Sequence, residues 1–503
     1  MGAIYAAVSG ALLALCFPSF GHPAVAWIAL VPLLVALAGQ ASPLRGFSLG
    51  LLTGAVHFAV TVSWIPHVMI EYGGLTVPTS WAAYVLLIAY LALFPAAFGV
   101  AVVVLHRRFG PRALFYAPML WVTSELGRIY LFTGFPWELL GYSQTPMLPI
   151  AQVASLFGVL GLSALVVLGN AALAHAVLGG DRRRWRPLAG AALVVLGSVG
   201  FGTWRLQDDG LNDAGAPLRV AAVQGNVAQH EKWNPAFRDS ILGNYLALTK
   251  TAVEDGAQLI VWPEAATPFA FNRDPVGAAP IRRLARDAGV HLLIGTTHVT
   301  LDDEPRYYNA AVMVDDAGEM AGVYRKHHLV PFGEYVPLRR ALFFVSPLVE
   351  TVGDFSAGPG PEVLSMDGHP VGTAICYEII YPGLVRDFVT QGSRLLTTVT
   401  NDAWYGRTSA PYQHFQQASM RAIEQGRFLV RAANTGISGA VDPYGRVLAS
   451  TPLFESHVIT VDVRLLDHRT LYSRIGDLFA YACAAVTVIL LAFALRHHQP
   501  RYL

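Results

Sequence analysis

The first 204 residues are almost entirely apolar segments joined by short polar connections, and this limits the fold more than any other feature. The segments lie at about 3–19, 24–39, 47–65, 80–105, 113–127, 152–178 and 187–204, with an eighth at about 476–495. A helix of about 20 residues crosses the ~30 Å hydrocarbon core of a bilayer. Several of these segments are long enough; 24–39 and 113–127 are short. The chain of 503 residues is 54% hydrophobic and 14% charged, against about 25% charged in soluble domains. It carries too little charge to be wholly soluble. The opening segment has no basic start and no small-residue cleavage site before a soluble domain, so it is expected to be a retained helix.

Arginines give the expected orientation. The connections holding Arg45, Arg107 with Arg108 and Arg112, Arg182 to Arg186, and the tail from Arg496 to Arg501 fall on one side of an eight-span chain. The loops 21–23, 71–78 and 128–149 fall on the other and hold one arginine, Arg128. Basic loops stay in the cytoplasm, so both termini are expected there. Trp64, Trp81 and Trp137 lie near span ends and read as interfacial anchors.

Residues 205–474 change character. Charges and turn residues become common, and apolar runs shrink to strand length, as in 218–223, 259–262, 291–295, 310–314, 372–376 and 395–400. Helix-like segments at 237–254, 281–288 and 409–431 lie between several of them. Alternating strands and helices predict one α/β domain outside the membrane. The expected division is therefore 1–204 with seven spans, 205–474 as the outer domain, and 475–503 with the eighth span and a cytoplasmic tail.

Composition also excludes. Net charge +1 argues against nucleic acid as a partner. The cysteines are Cys16, Cys376 and Cys483, too few and too scattered for a disulfide framework or a CxxC site. Among sixteen histidines there is no HExxH spacing, and no phosphate loop of the form GxxxxGK[ST] exists. No metal and no cofactor is expected.

Three stretches of the outer domain share one design, a strand ending in a reactive side chain. Gln258 to Trp262 leads through Pro263 to Glu264; Gly322 to Arg325 leads to Lys326; Val371 to Ile375 leads to Cys376. Each alone is more economically read as structure: a surface acid, a solvated basic cluster, a small buried hydrophobe. Together they form a device. The carboxylate takes the thiol proton as general base and returns it to the leaving group. The ammonium lowers the thiol pKa and, beside a backbone N–H just after Cys376, stabilises an oxyanion. The product is a thioester, which holds an acyl group for a second nucleophile.

The order Glu, Lys, Cys resembles the nitrilase superfamily, carried by Trp262 to Glu264, Tyr324 to Lys326 and Ile375 to Glu378. The chain is most similar to its membrane-bound branch, the apolipoprotein N-acyltransferases. The shared stretches are Val223 to Asn226, Lys232 with Trp233, Lys326 to Pro337, Cys376 to Glu378, Thr400 to Tyr405, Thr133 to Trp137 and Gly141 to Ser143. The resemblance implies a nitrilase-like αββα sandwich on a domain of about eight transmembrane helices, in the bacterial inner membrane with the sandwich on the periplasmic side. It implies a ping-pong reaction: Cys376 takes an acyl chain from a phospholipid and passes it to the α-amino group of a lipoprotein's diacylglyceryl cysteine. Glu264 maps to the base, Lys326 to the oxyanion partner, Glu334 to a second acid and Glu378 to a supporting acid. Tyr377 and Trp233 map to the acyl path. Glu138 departs from the pattern, where an apolar or neutral residue is expected. The apolar loop 341–349 reads either as an interfacial loop or as a core segment.

Two rivals remain at this point. The same triad could serve a membrane-tethered amidase or hydrolase with water as second nucleophile. A transporter with a regulatory outer domain is the other, disfavoured because the spans carry almost no charge apart from Glu125.

Overall fold

The computed structural model describes residues 1–19, 21–179, 185–301, 304–335 and 355–496. The loop 341–349 lies outside them. Contacts divide the chain into two units: residues 1–66, 77–208 and 475–503, and residues 67–76 with 209–474.

The first unit is helical. Five helical segments are long and apolar enough to cross a membrane: Pro43–Thr61, Val77–Thr133, Ala154–Leu178, Trp185–Asp213 and Leu478–Arg496. Gly2–Ala14 and Pro23–Ala38 are shorter apolar helices. The stretch 77–133 holds two of the expected spans, broken between the helices Val77–Phe109 and Ala117–Tyr130. Apolar helices gain little from burial against one another in lipid, so close backbone contact through small residues has to hold them. Gly46, Gly50 and Gly54 form such a seam on Pro43–Thr61. A Cβ on Gly50 would stand 2.1 Å from the Pro95 oxygen, and one on Gly99 2.3 Å from the Gly46 oxygen.

Two sequence expectations are corrected in this unit. Arg128 is not a connecting-loop cation. It lies in the helix Ala117–Tyr130, buried, 3.8 Å from buried Glu125. It donates to the carbonyls of Trp137 and Glu138 at 2.9 and 3.1 Å, while Glu125 accepts the Leu140 N–H at 2.7 Å. The loop that follows must satisfy its backbone inside the protein, and this acid–base pair does so. Glu138 is itself buried. Trp64 and Trp137 are buried against each other, ring centroids 5.0 Å apart, and are packing residues rather than interfacial anchors.

The second unit is a two-sheet sandwich. One six-stranded sheet runs β12-β1-β2-β3-β4-β5, the other β11-β10-β9-β8-β7-β6. The strands are β1 Ala216–Gln224, β2 Leu259–Trp262, β3 His291–Leu301, β4 Pro305–Val314, β5 Met320–Arg325, β6 Leu364–Met366, β7 His369–Ile375, β8 Leu395–Thr400, β9 Leu429–Ala433, β10 Gly439–Val441, β11 Val447–Ser450 and β12 His457–Leu465. Each sheet has three parallel strands at its centre, β1-β2-β3 and β7-β8-β9, and antiparallel flanks. The central strands are covered on both faces, which is why β2 and β8 are fully buried runs without alternation.

Helices Arg238–Glu254 and Pro275–Ala288 cover the first sheet through Ile241, Tyr245, Ile281 and Ala285 against Val223, Trp262 and Ile294. Helices Pro382–Thr390 and Ala410–Gln425 pack beside the second sheet. The helix Pro275–Ala288 begins at Asp274, whose side chain accepts the Gly277 N–H at 2.8 Å, and ends at left-handed Gly289. Both signals are visible in the sequence.

The Gly50 seam predicts a stability effect. Gly50→Val should lower stability by about 3 kcal/mol through overpacking, read as a fall in thermal midpoint in detergent. Gly190→Ala, with nothing within 4 Å of the added Cβ, should leave it unchanged.

Candidate active site

The reactive side chains stand at the ends of strands from both sheets. Glu264 follows β2, Lys326 follows β5 and Cys376 follows β7. Gly295 on β3 lets the Glu264 turn lie close: a Cβ there would be 2.6 Å from the Glu264 Cα, and the Ala266 N–H donates to the Gly295 oxygen at 2.7 Å. Cys376 has φ +53 and Ala265 has φ +46. Such left-handed conformations cost a non-glycine residue roughly 1–3 kcal/mol and gather at functional sites.

Lys326 is the centre of the charge arrangement. It is buried. Its Nζ lies 2.9 Å from Glu334 Oε2, 3.0 Å from Glu334 Oε1 and 3.6 Å from Glu264 Oε1. Asn309 Nδ2 bridges the two acids, donating to Glu264 Oε1 at 2.7 Å and Glu334 Oε1 at 2.8 Å. The Asn401 N–H donates to Glu264 Oε2 at 2.9 Å, and the Val330 N–H to Glu334 Oε2 at 2.8 Å. Burial alone would favour the neutral amine, but Glu334, then Glu264, then Cys376 and Glu378 outweigh it and hold Lys326 protonated.

Cys376 is 6% exposed and shares this field. Burial and then the Glu264 charge push its thiol up, and Lys326 only partly opposes them. Lys326 acts in the expected direction, but burial and the Glu264 charge outweigh it. Glu264, Lys326 and Cys376 thus lie within one charge network.

Glu378 accepts from several backbone groups. Its Oε1 accepts from Tyr324 Oη at 2.7 Å and from the N–H groups of His327 and His328 at 2.8 and 3.0 Å; Oε2 accepts the Ile375 N–H at 2.8 Å. One carboxylate thereby ties the two peptides that follow Lys326 to the strand end before Cys376. Tyr377 is buried, its ring 6.0 Å from that of His328, and Trp233 is half exposed.

Sequence reasoning gave no role to several neighbours. Lys232, quoted only as a motif residue, is buried and donates to the Glu264 backbone oxygen at 2.9 Å. Burial lowers it to about 8, against the pull of Glu264 and Cys376. Asn434 joins the sheets: its N–H groups reach Val227 O at 2.8 Å and Asn401 Oδ1 at 3.0 Å, and its Oδ1 accepts the Val227 N–H at 2.9 Å. A polar residue inside an apolar strand, as Asn309 is in β4, was the available signal. Among the described residues one group could hold a metal, His291, Asp316 and Asp367, with ligand atoms within 4.8 Å of one another. It shares no residue with this site.

Glu378→Ala would leave three backbone N–H groups and the Tyr324 hydroxyl without their acceptor. The cost should be about 3–5 kcal/mol, measured by thermal or denaturant unfolding; a loss under about 1 kcal/mol would mean the carboxylate is dispensable to the fold.

Comparison with known proteins places this geometry. A carbon–nitrogen hydrolase family model matches residues 219–471. A model described as the apolipoprotein N-acyltransferase N-terminal domain matches residues 9–172. Among solved structures, an amidase of the nitrilase superfamily from Nesterenkonia AN1 is similar, 23% identical over 54% of this chain and 98% of its own, with a TM-score of 0.41. A protein of Geobacter metallireducens named apolipoprotein N-acyltransferase is 41% identical over 99% of this chain and 96% of its own length. One of Methylococcus capsulatus with the same name is 38% identical, covering 99% and 98%. This chain therefore belongs to the apolipoprotein N-acyltransferase family.

Proposed function

We propose that Cys376, Glu264 and Lys326 carry acyl transfer by a two-step thioester route. The observation that supports it best is Lys326 held between Glu264 and Glu334 in the same electrostatic field as Cys376. In the first step Glu264 takes the thiol proton and the sulfur attacks a phospholipid ester carbonyl. The C–S bond forms and the carbonyl pair moves to oxygen, beside the Lys326 ammonium and the Tyr377 N–H. On collapse the C=O re-forms, the ester C–O bond breaks, and Glu264 returns its proton to the departing lysophospholipid. In the second step Glu264 accepts a proton from the α-amino group of a diacylglyceryl-modified lipoprotein cysteine as that nitrogen attacks. The C–N bond forms and the carbonyl pair moves to oxygen; on collapse the C=O re-forms, the C–S bond breaks, and Glu264 gives its proton to the departing sulfur, which restores the thiol. Glu334 and Asn309 keep the lysine and the base in place, and Tyr377 and Trp233 line the acyl path.

The location fits the substrates. Exposing an acyl chain to water costs about 0.8 kcal/mol per methylene, so a domain tethered to the bilayer reaches the ester without extracting the lipid. We read residues 1–204 and 475–503 as the membrane part, with eight spans and both termini cytoplasmic. Residues 205–474 are the catalytic domain on the periplasmic side of the inner membrane. The second reading, a tethered amidase or hydrolase, uses the same triad with water in the second step; it leaves the apolar helices without a purpose.

Incubation with phospholipid and a diacylated lipopeptide should yield lysophospholipid and triacylated peptide together; free fatty acid alone would favour the hydrolase. With phospholipid alone, mass spectrometry should find the acyl chain on Cys376, and Cys376→Ala should abolish it. Lys326→Ala should slow its formation on the order of 10²–10³-fold. An unchanged rate would remove Lys326 from the reaction.

A further inference from the structure

Behind Cys376 lies a set of buried charged side chains that the reaction above does not use. Asp402, His414 and Arg431 are each fully buried. Asp402 sits in the turn after β8, His414 on the helix Ala410–Gln425 and Arg431 on β9. Arg431 Nη2 donates to Asp402 Oδ2 at 2.7 Å and lies 3.0 Å from His414 Nδ1; its Nε donates to the Ile437 oxygen at 3.1 Å. Asp402 Oδ1 lies 3.1 Å from His414 Nδ1 and accepts from Thr400 Oγ1 at 2.9 Å. The Tyr405 ring meets the imidazole edge-on at 6.1 Å. The set ends on the nucleophile's own backbone: His414 Nε2 is 3.2 Å from the Cys376 carbonyl oxygen.

That last contact defines the ring. A carbonyl oxygen only accepts, so Nε2 carries a hydrogen in either protonation state. Burial, and then Arg431, hold His414 below the ordinary histidine range, while Asp402 beside Nδ1 opposes them. Asp402 is held well down, because Arg431 and His414 outweigh its burial. Burying such a set costs several kcal/mol unless each member is bonded. A lone carbonyl would not need it.

The carbonyl is a special one. It belongs to a residue at φ +53, a conformation that a non-glycine residue leaves when unrestrained. A trans peptide holds its C=O and N–H on opposite sides of one plane. Fixing the Cys376 carbonyl therefore fixes the direction of the Tyr377 N–H.

We propose that His414, oriented by Asp402 and Arg431, is a positioning residue that locks the 376–377 peptide so that the Tyr377 N–H faces the oxygen on which negative charge develops. The proposal rests on the reading that Cys376 attacks an acyl carbonyl. In this role His414 acts through the peptide whose carbonyl it holds.

The test separates chemistry that builds an oxyanion from chemistry that does not. Acylation of Cys376 by phospholipid needs the oxyanion donor. Alkylation of the same sulfur by iodoacetamide displaces iodide at a saturated carbon and needs none. In the full-length enzyme, His414→Ala should slow acylation at saturating phospholipid on the order of 10²-fold, while alkylation stays within about a factor of two of wild type. His414→Gln, whose amide can donate to the same carbonyl, should recover most of the acylation. Should His414→Ala not fold, Asp402→Asn carries the test with the same split between the two reactions. Acylation and alkylation falling together, or acylation unchanged, would overturn the role of His414. A wild-type enzyme whose Cys376 takes no acyl chain at all would overturn the thioester reading, and this proposal with it.

Discussion

A single buried ammonium organises this molecule's two-sheet unit. Lys326 is the cation between Glu264 and Glu334, two buried carboxylates bridged by one asparagine. An isolated buried charge costs far more than a paired and hydrogen-bonded one. The demand spreads outward. Asn309 has to stand on β4 at the height of both acids, the Asn401 and Val330 amides have to face them, and Glu378 has to tie the strand before Cys376 to the turn after Lys326. Cys376 enters an arrangement whose charges are already paired, and burial and then the Glu264 charge push its thiol up.

Much of this was legible in the residues. The apolar runs marked out the helical unit, and the change of texture near residue 205 marked the start of the α/β unit. Glu264, Lys326 and Cys376 each sat after a short strand, and the structure brings them into one field. The motif stretches pointed to the family to which the chain belongs. What remained hidden has a common physical cause: it depends on pairs remote in sequence. Nothing near Asn309 says that it faces two acids 45 and 25 residues away. Nothing near His414 says that its partner is a backbone oxygen 38 residues back. Periodicity reports which face of an element is buried, not what it is buried against.

The helical unit taught the same lesson in reverse. Arg128 looked like a loop cation because it follows an apolar run, and Trp64 and Trp137 looked like interfacial anchors because they lie near span ends. In the structure Arg128 and Glu125 turn inward to satisfy the backbone of residues 137–140, and the two tryptophans pack on each other. A buried loop needs donors and acceptors brought to it, and a hydropathy profile registers only that a charge is present.

The clasp at Asn434 has a wider consequence. Glu264 grows from one sheet and Cys376 from the other, so their separation is set by the thickness of the sandwich, about 10 Å for stacked sheets, rather than by any one loop. Asn434, bonded to Val227 on one side and Asn401 on the other, fixes that thickness where it matters. The hydrophobic interior thus doubles as a ruler. A methyl group added or removed between the sheets, far from both side chains, would be felt as a change in the spacing of Glu264 and Cys376.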